Sequence, residues 1–319
     1  MYLSAVAGFV LLFGGGELLV RGAVAVAKRF GLSSLLIGLT VVAAATSAPE
    51  LVVSIRAALD GSSAIALGNV VGSNIFNVLG VLGISALIAP IIVKPAEIRR
   101  DTWFMIGALG ALAAAALLGV IGRPVGAALL LALVAYVVYS YRTELAEEPP
   151  PSAELHVHEG EEFAGPEKLW IGLAYLAAGL AALVIGSNLL VGGATAIART
   201  FGVPEAVIGL TLVAVGTSLP ELATSIMAAF RGHSDVAVGN VLGSNLFNAL
   251  GIIGATALVK PIEVAARMAH VDVWVMLGAS LVAVPLLIGR GRIGRIAGAL
   301  FVGAYVVYTV LLLAPPAVG

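Results

Sequence analysis

Two carboxylates lie inside apolar segments of nearly the same sequence: Glu50 in GLTVVAAATSAPELVVSIRAA, from Gly38, and Glu221 in GLTLVAVGTSLPELATSIMAA, from Gly209. A carboxylate at bilayer depth is disfavoured by roughly 3 kcal/mol on insertion scales, so a matched pair points to ions or protons as cargo. Ala43, Thr46, Ser47 and Glu50 are spaced at three, four and seven residues and share one helical face, and Ala214, Thr217, Ser218 and Glu221 repeat the spacing. Pro49 and Pro220 cannot donate to the carbonyls of Ala45 and Gly216, which predicts a kink that opens backbone oxygens beside the hydroxyls. Carboxylate, hydroxyl and carbonyl oxygens together suit a hard cation such as Ca²⁺ or Na⁺. With no cysteine, and with His270 at the edge of an apolar segment, soft or borderline metals lack ligands.

A second pair of segments reads GNVVGSNIFNVLG and GNVLGSNLFNALG. Asn69, Ser73 and Asn77, and likewise Asn240, Ser244 and Asn248, recur every four residues and form a polar stripe. Gly68, Gly72, Gly239 and Gly243 beside them permit close helix approach in a membrane. Asn69, Asn74, Asn240 and Asn245 read as interhelical hydrogen-bond glue, whereas Ser73, Asn77, Ser244 and Asn248 are candidates to face the cargo.

The elements that position these groups must be membrane helices. Hydrophobic residues make up 60% of the 319, charged residues 11%, and the mean hydropathy is +1.09, far outside soluble norms. The fold class expected is an all-α polytopic membrane protein, because irregular backbone is not tolerated against lipid and the alternation of a β-barrel is absent. Ten spans are predicted, near 2–27, 34–58, 64–89, 101–121, 124–141, 168–197, 204–229, 235–258, 271–289 and 294–314. The first lacks a charged leader and a small-residue cleavage site and reads as a retained span. A net charge of -1 offers nothing to nucleic acid or another polyanion.

An offset of 171 relates Phe30 to Phe201, Glu50 to Glu221, Asn77 to Asn248, Pro90 to Pro261 and Asp101 to Asp272, all without a gap. Each copy holds five predicted spans, an odd number, so the two run through the membrane in opposite directions. The expected organisation is a first inverted repeat over 1–142, an acidic linker over 143–167 and a second repeat over 168–319. Inverted repeats of this kind place a transport site near the midplane, where broken helices meet. The linker's prolines and glutamates bar it from the bilayer, and its His156 and His158 read as part of a solvated tether, not a metal sensor. Lys28, Arg29, Lys94, Arg99, Arg100, Arg142, Lys168, Arg231, Arg290, Arg292 and Arg295 fall on one side, against five cations on the other. That bias places the linker in the cytoplasm and both termini outside the cell. Glu17 and Arg21 read as a shielded i,i+4 pair, and Asp101, Asp272, Glu97 and Glu263 as interfacial anchors.

TSAPE followed by GNVVGSNIFN, repeated as TSLPE and GNVLGSNLFN at fixed offset, resembles the α-repeats of the calcium:cation antiporter superfamily, which includes prokaryotic sodium/calcium exchangers. The resemblance implies a central Ca²⁺ site shared by Glu50, Glu221 and the carbonyls of Thr46 and Thr217, completed by Asn77 and Asn248. It implies two flanking Na⁺ sites, one of Ala43, Thr46, Ser47, Ser244 and Glu221, the other of Ala214, Thr217, Ser218, Ser73 and Glu50. Many members carry aspartate where this chain has Asn248, and its absence argues against K⁺ cotransport. The resemblance also implies a first and sixth span that slide against the rest; Gly14 to Gly16, Gly192 and Gly193 fit such a surface or tight static packing.

Ca²⁺ and Na⁺ competing for two carboxylates would make exchange obligatory. Repulsion between the carboxylates of an empty site invites a proton, so proton/calcium exchange by the same glutamates stays open. An intramembrane enzyme is the remaining alternative, and the chain has no HExxH and no pair of intramembrane aspartates to support it. The expectation is a cation antiporter of unknown oligomeric state, with inorganic cations and the lipid bilayer as partners and no cofactor.

Overall fold

The computed structural model describes residues 1–146, 168–201 and 214–313. The described residues are almost entirely helical. Helix α1 covers Tyr2–Phe30 and stops at Gly31, whose φ of 64° is left-handed. The Ser33 hydroxyl then accepts from the Leu36 N–H at 3.1 Å and starts the next helix. That span breaks in two: α2, Ser34–Thr46, and α3, Ala48–Leu59, meet at Ser47 with a bend of 44°. Pro49 in the first turn of α3 lacks the N–H that a continuous helix would need. Next come α4, Ser63–Ile88, α5, Pro95–Ala116, and α6, Arg123–Ala146.

The second part of the chain repeats this order. Helix α7 is Leu169–Thr200, α8 is the turn Ala214–Gly216, and α9 is Leu219–Phe230. These are followed by α10, Ser234–Val259, α11, Met268–Gly289, and α12, Arg295–Leu313. Among the described residues seven helices are long and apolar enough to cross a membrane, or eight with the bent pair α2 and α3. Much of the predicted span at 204–229 lies outside the described residues, as does the linker from 147 to 167 with His156 and His158. The linker's first residues, Thr143–Ala146, continue α6, and the Ser33 N–H donates to Glu144 there.

Helices α1 and α7 occupy equivalent places in the repeat and run antiparallel. Gly8, Gly15 and Gly22 of α1 lie against Gly186, Gly179 and Gly172 of α7. A Cβ built on Gly179 would sit 2.6 Å from the Leu19 nitrogen and 2.8 Å from the Gly15 carbonyl oxygen. Of the two glycine runs, Gly15 and Gly193 lie in this backbone-to-backbone contact, whereas Gly14 and Gly192 have open space beside them.

Four two-residue strands depart from an all-α chain. Strand β1, Ile91–Ile92, pairs antiparallel with β4, Arg292–Ile293, and β2, Val120–Ile121, pairs antiparallel with β3, Ile262–Glu263. Each ladder joins the two parts of the chain, and one isoleucine of each strand is fully buried. Only β2 falls within a predicted span: 101–121 ends in it, after Gly119 turns with φ of 75°, while β1, β3 and β4 lie between predicted spans.

Asp101 and Asp272 are not interfacial anchors. Asp101 is fully buried and accepts from the Tyr136 hydroxyl at 3.0 Å and from Arg100 at 3.1 and 3.2 Å. Asp272 accepts from Tyr308 at 3.2 Å. Each tyrosine lies on the following helix, so the carboxylates tie α5 to α6 and α11 to α12. Burial without a partner would be more costly than either bond.

Candidate functional site

The two breaks, at Ser47 and Ser218, put Glu50 and Glu221 in the first turns of α3 and α9, where unpaired N–H groups point toward an anion. Both glutamates are fully buried. Ser47 donates to Glu221 Oε1 at 3.0 Å, and Ser218 donates to Glu50 Oε1 at 3.0 Å. Ser73 adds a 3.4 Å bond to Glu50 Oε1 and a 2.7 Å bond with Ser218. Each carboxylate therefore meets hydroxyls from the opposite part of the chain.

Helices α4 and α10 cross between them. Asn69 binds the Glu50 carbonyl at 3.2 Å and Ser54 at 3.0 Å; Asn240 binds the Glu221 carbonyl at 3.3 Å and Ser225 at 3.0 Å. These amides hold the half-helices in place, the glue role expected of them. Asn77 donates to Asn245 at 3.1 Å, and Asn248 donates to Asn74 at 3.1 Å. Asn74 and Asn245 direct their own amide N–H groups at the Met276 and Met105 sulfurs, 3.5 and 3.6 Å away. Turning each Asn77 and Asn248 amide nitrogen outward leaves its oxygen for the interior. Both sit in π-helical turns, Asn77–Val81 and Phe247–Ile252, an irregularity frequent at functional sites.

Helix α10 also packs closely against α2, the helix that ends at the first break. A Cβ on Gly243 of α10 would fall 2.3 Å from the Leu39 carbonyl oxygen and 2.7 Å from the Ala43 Cβ, which no side chain could accept.

The predicted ligands are not equally open. Glu50 Oε2, Glu221 Oε2, Asn77 Oδ1, Asn248 Oδ1 and Ser244 Oγ are buried with no hydrogen-bond partner among the described residues. Thr46 is committed to the Asn240 Oδ1 at 3.2 Å and the Ala43 carbonyl at 3.3 Å, and that carbonyl also accepts from the Ser47 N–H at 3.0 Å. Thr217 lies at the break between α8 and α9, and Ala214 begins α8 at the edge of the described residues. The Gly216 carbonyl that Pro220 releases is taken by the Ser187 hydroxyl of α7 at 2.5 Å. Sequence reasoning missed Ser187, Ser54, Ser225, Met105 and Met276. The last four were within reach, since Ser54 and Ser225, like Met105 and Met276, are related by the same offset of 171.

Neither glutamate forms an ion pair among the described residues, and no group of three or more His, Cys, Asp or Glu surrounds them there. Among the described residues the centre is buried and rich in oxygen acceptors, the kind of group that hard cations take, and offers no imidazole or thiolate.

The profile of the sodium/calcium exchanger protein family matches residues 1–142 and residues 171–314. CaxA of Alkalimonas amylolytica, an antiporter by name, is 37% identical over 310 residues, 96% of each chain. Sodium/calcium exchanger MaX1 of Methanosarcina acetivorans is 32% identical over 346 residues, 98% of each chain. A solved structure of the sodium-calcium exchanger NCX_Mj, soaked with zero Na⁺ and Ca²⁺, has a TM-score of 0.80 at 32% identity and covers 97% of both chains. Both motif-bearing stretches fall within the matched residues, and the likeness runs nearly end to end, so the chain belongs to the sodium/calcium exchanger family of membrane transporters.

Proposed function

We propose that this protein is a secondary active antiporter that exchanges Ca²⁺ for Na⁺ at one shared site by alternating access. The observation that carries the reading is a set of four buried oxygens, on Glu50, Glu221, Asn77 and Asn248, without a hydrogen-bond partner among the described residues, two of them from carboxylates that no described cation pairs with. Uncompensated charge in a low-dielectric interior is strongly unfavourable, and a bound cation relieves it. These four oxygens form the Ca²⁺ centre, together with the Thr46 and Thr217 carbonyls. The groups Ser47 with Glu221, and Ser218 and Ser73 with Glu50, mark the flanking Na⁺ sites, to which Ser244, Ala43 and Ala214 contribute.

The architecture proposed with it is ten spans in two inverted repeats, 1–142 and 168–319, joined by a cytoplasmic linker, with both termini extracellular. Support comes from antiparallel α1 and α7, from the two ladders that join the parts reciprocally, and from the family profile matching in two stretches. Helix α5 and the broken pair α8 and α9 bring the eight apolar spans to ten.

The test is Ca²⁺ uptake by proteoliposomes under an outward Na⁺ gradient, compared with an outward proton gradient at matched membrane potential. Uptake driven by Na⁺, and lost in Glu50→Gln and Glu221→Gln variants that still purify as folded protein, is the expected result. Removing one charge from a buried site of this kind is worth about 3 kcal/mol, roughly 100-fold in affinity. Uptake driven by protons alone would overturn the sodium assignment while keeping the site.

A further inference from the structure

Between α11 and α12 the side chains leave a trough. Ala279, Val282 and Leu286 on α11 face Ala297, Leu300 and Ala304 on α12, each set at helical spacing, and the cavity they line holds about 870 Å³. Its walls are apolar except at the ends. At one end Tyr308 is already engaged by Asp272. At the other, Arg290 and Arg292 are exposed and make no ion pair or hydrogen bond among the described residues.

The fold does not require these two arginines. The turn RGRIGR, 290–295, corresponds to LGVIGR, 118–123, between α5 and α6, and the two differ only where Arg290 and Arg292 replace Leu118 and Val120. Gly119 and Gly291 take the same left-handed conformation, with φ of 75° and 62°. Arg292 lies in β4, between the end of α11 and the start of α12, two helices long and apolar enough to cross a membrane. From Arg290 back to Ala279 the helix rises about 16 Å at ~1.5 Å per residue, close to half of a hydrocarbon core of roughly 30 Å. The trough is one leaflet deep, with two unpaired guanidinium groups at its mouth.

We propose that this groove holds an anionic glycerophospholipid, its phosphate on Arg290 and Arg292 and one acyl chain along the alanines. Basic pockets between helices at the membrane boundary select anionic headgroups, and guanidinium suits phosphate oxygens. The occupant is separate from the transported ions and does not depend on which ions they are.

The test is native mass spectrometry of the purified full chain, with thermal unfolding in parallel, after addition of phosphatidylglycerol, phosphatidylcholine or inorganic phosphate. One phosphatidylglycerol per chain should be retained and should raise Tm, while the other two do neither. The double variant R290L/R292V, which copies the first repeat, should weaken retention on the order of tenfold or more without changing Tm in the absence of lipid. Ala304→Trp fills the trough with both arginines in place and should also lose the lipid. Equal retention of both lipids by the wild type, unchanged retention by R290L/R292V, or a rise in Tm with inorganic phosphate would overturn the proposal. So would a change of oligomeric state in Ala304→Trp, which would assign the groove to a second copy of the chain.

Discussion

Ser47 gives its hydroxyl to Glu221 at 3.0 Å, and so the carboxylate of one repeat is held by the helix break of the other. Ser218 returns the bond to Glu50 at the same length. The proposed site is assembled where the two breaks meet, so ion binding there would depend on the relative position of the repeats.

The reciprocity is incomplete, and its asymmetry can be tested. Glu50 also receives Ser73, whereas the Ser244 hydroxyl, its counterpart, has no partner among the described residues. Ser47→Ala should therefore weaken Ca²⁺ half-saturation more than Ser218→Ala does. A hydrogen bond to a charged group is worth about 1.5–3 kcal/mol, so the larger effect should be at least tenfold. Uptake titrations on the two variants, run side by side, would give the order.

Asn245 and Asn74 never touch the proposed cargo, yet they fix how Asn77 and Asn248 present their oxygens. Asn245→Leu removes the acceptor for the Asn77 amide and should lower apparent Ca²⁺ affinity by about tenfold or more, as loss of an orienting partner does at metal sites. Met105→Leu, which removes only a weak acceptor from Asn245, should change affinity little. If Met105→Leu proved as damaging as Asn245→Leu, orientation of the Asn77 amide would not be the cause.

Much of this was legible because the chain states it twice. Glu50 and Glu221, the prolines that break α2 from α3 and α8 from α9, and the asparagine stripe are local patterns, and duplication at one offset gave them their pairing. What pattern could not give is which atoms stay unpaired. Thr46 and Ser244 look equally available in the sequence, but the first is bound by Asn240 and Ala43 while the second is open. Asp101 reads as an interfacial residue from its place near Trp103, because its true partner, Tyr136, lies on the next helix. The four strands were hidden for a different reason: two residues carry no period, and only the pairing between the two parts of the chain identifies them.

The α1 and α7 seam predicts opposite outcomes for neighbouring glycines. Gly179→Ala would press a methyl against the backbone of Leu19 and Gly15, atoms that cannot turn aside, and should destabilise by about 1–3 kcal/mol. Gly14→Ala has open space and should be neutral or slightly stabilising, since alanine is the better helix former. Thermal unfolding in detergent separates the two. Equal effects would mean that the seam yields more than its close contacts imply.

Glu17 gives the last prediction, because it does more than pair within α1. Its Oε1 lies 2.6 Å from Arg21 and its Oε2 lies 2.9 Å from Arg231, which follows α9 directly. Helix α9 is thus tied at one end to α1 and carries Glu221 at the other. The Glu17 and Arg231 side chains are 18% and 27% exposed, whereas those of the Arg56 and Asp60 pair are 77% and 57% exposed. Solvent and salt screen the second pair far more. A double-mutant cycle with Glu17→Gln and Arg231→Gln should give a coupling of about 1 kcal/mol in unfolding free energy, and the same cycle on Arg56 and Asp60 should give about zero. A null result for both pairs would mean that the contact between α1 and α9 rests on apolar packing alone. A coupling confined to Glu17 and Arg231 would identify the pair as a contact that any sliding of α1 along α9 must break.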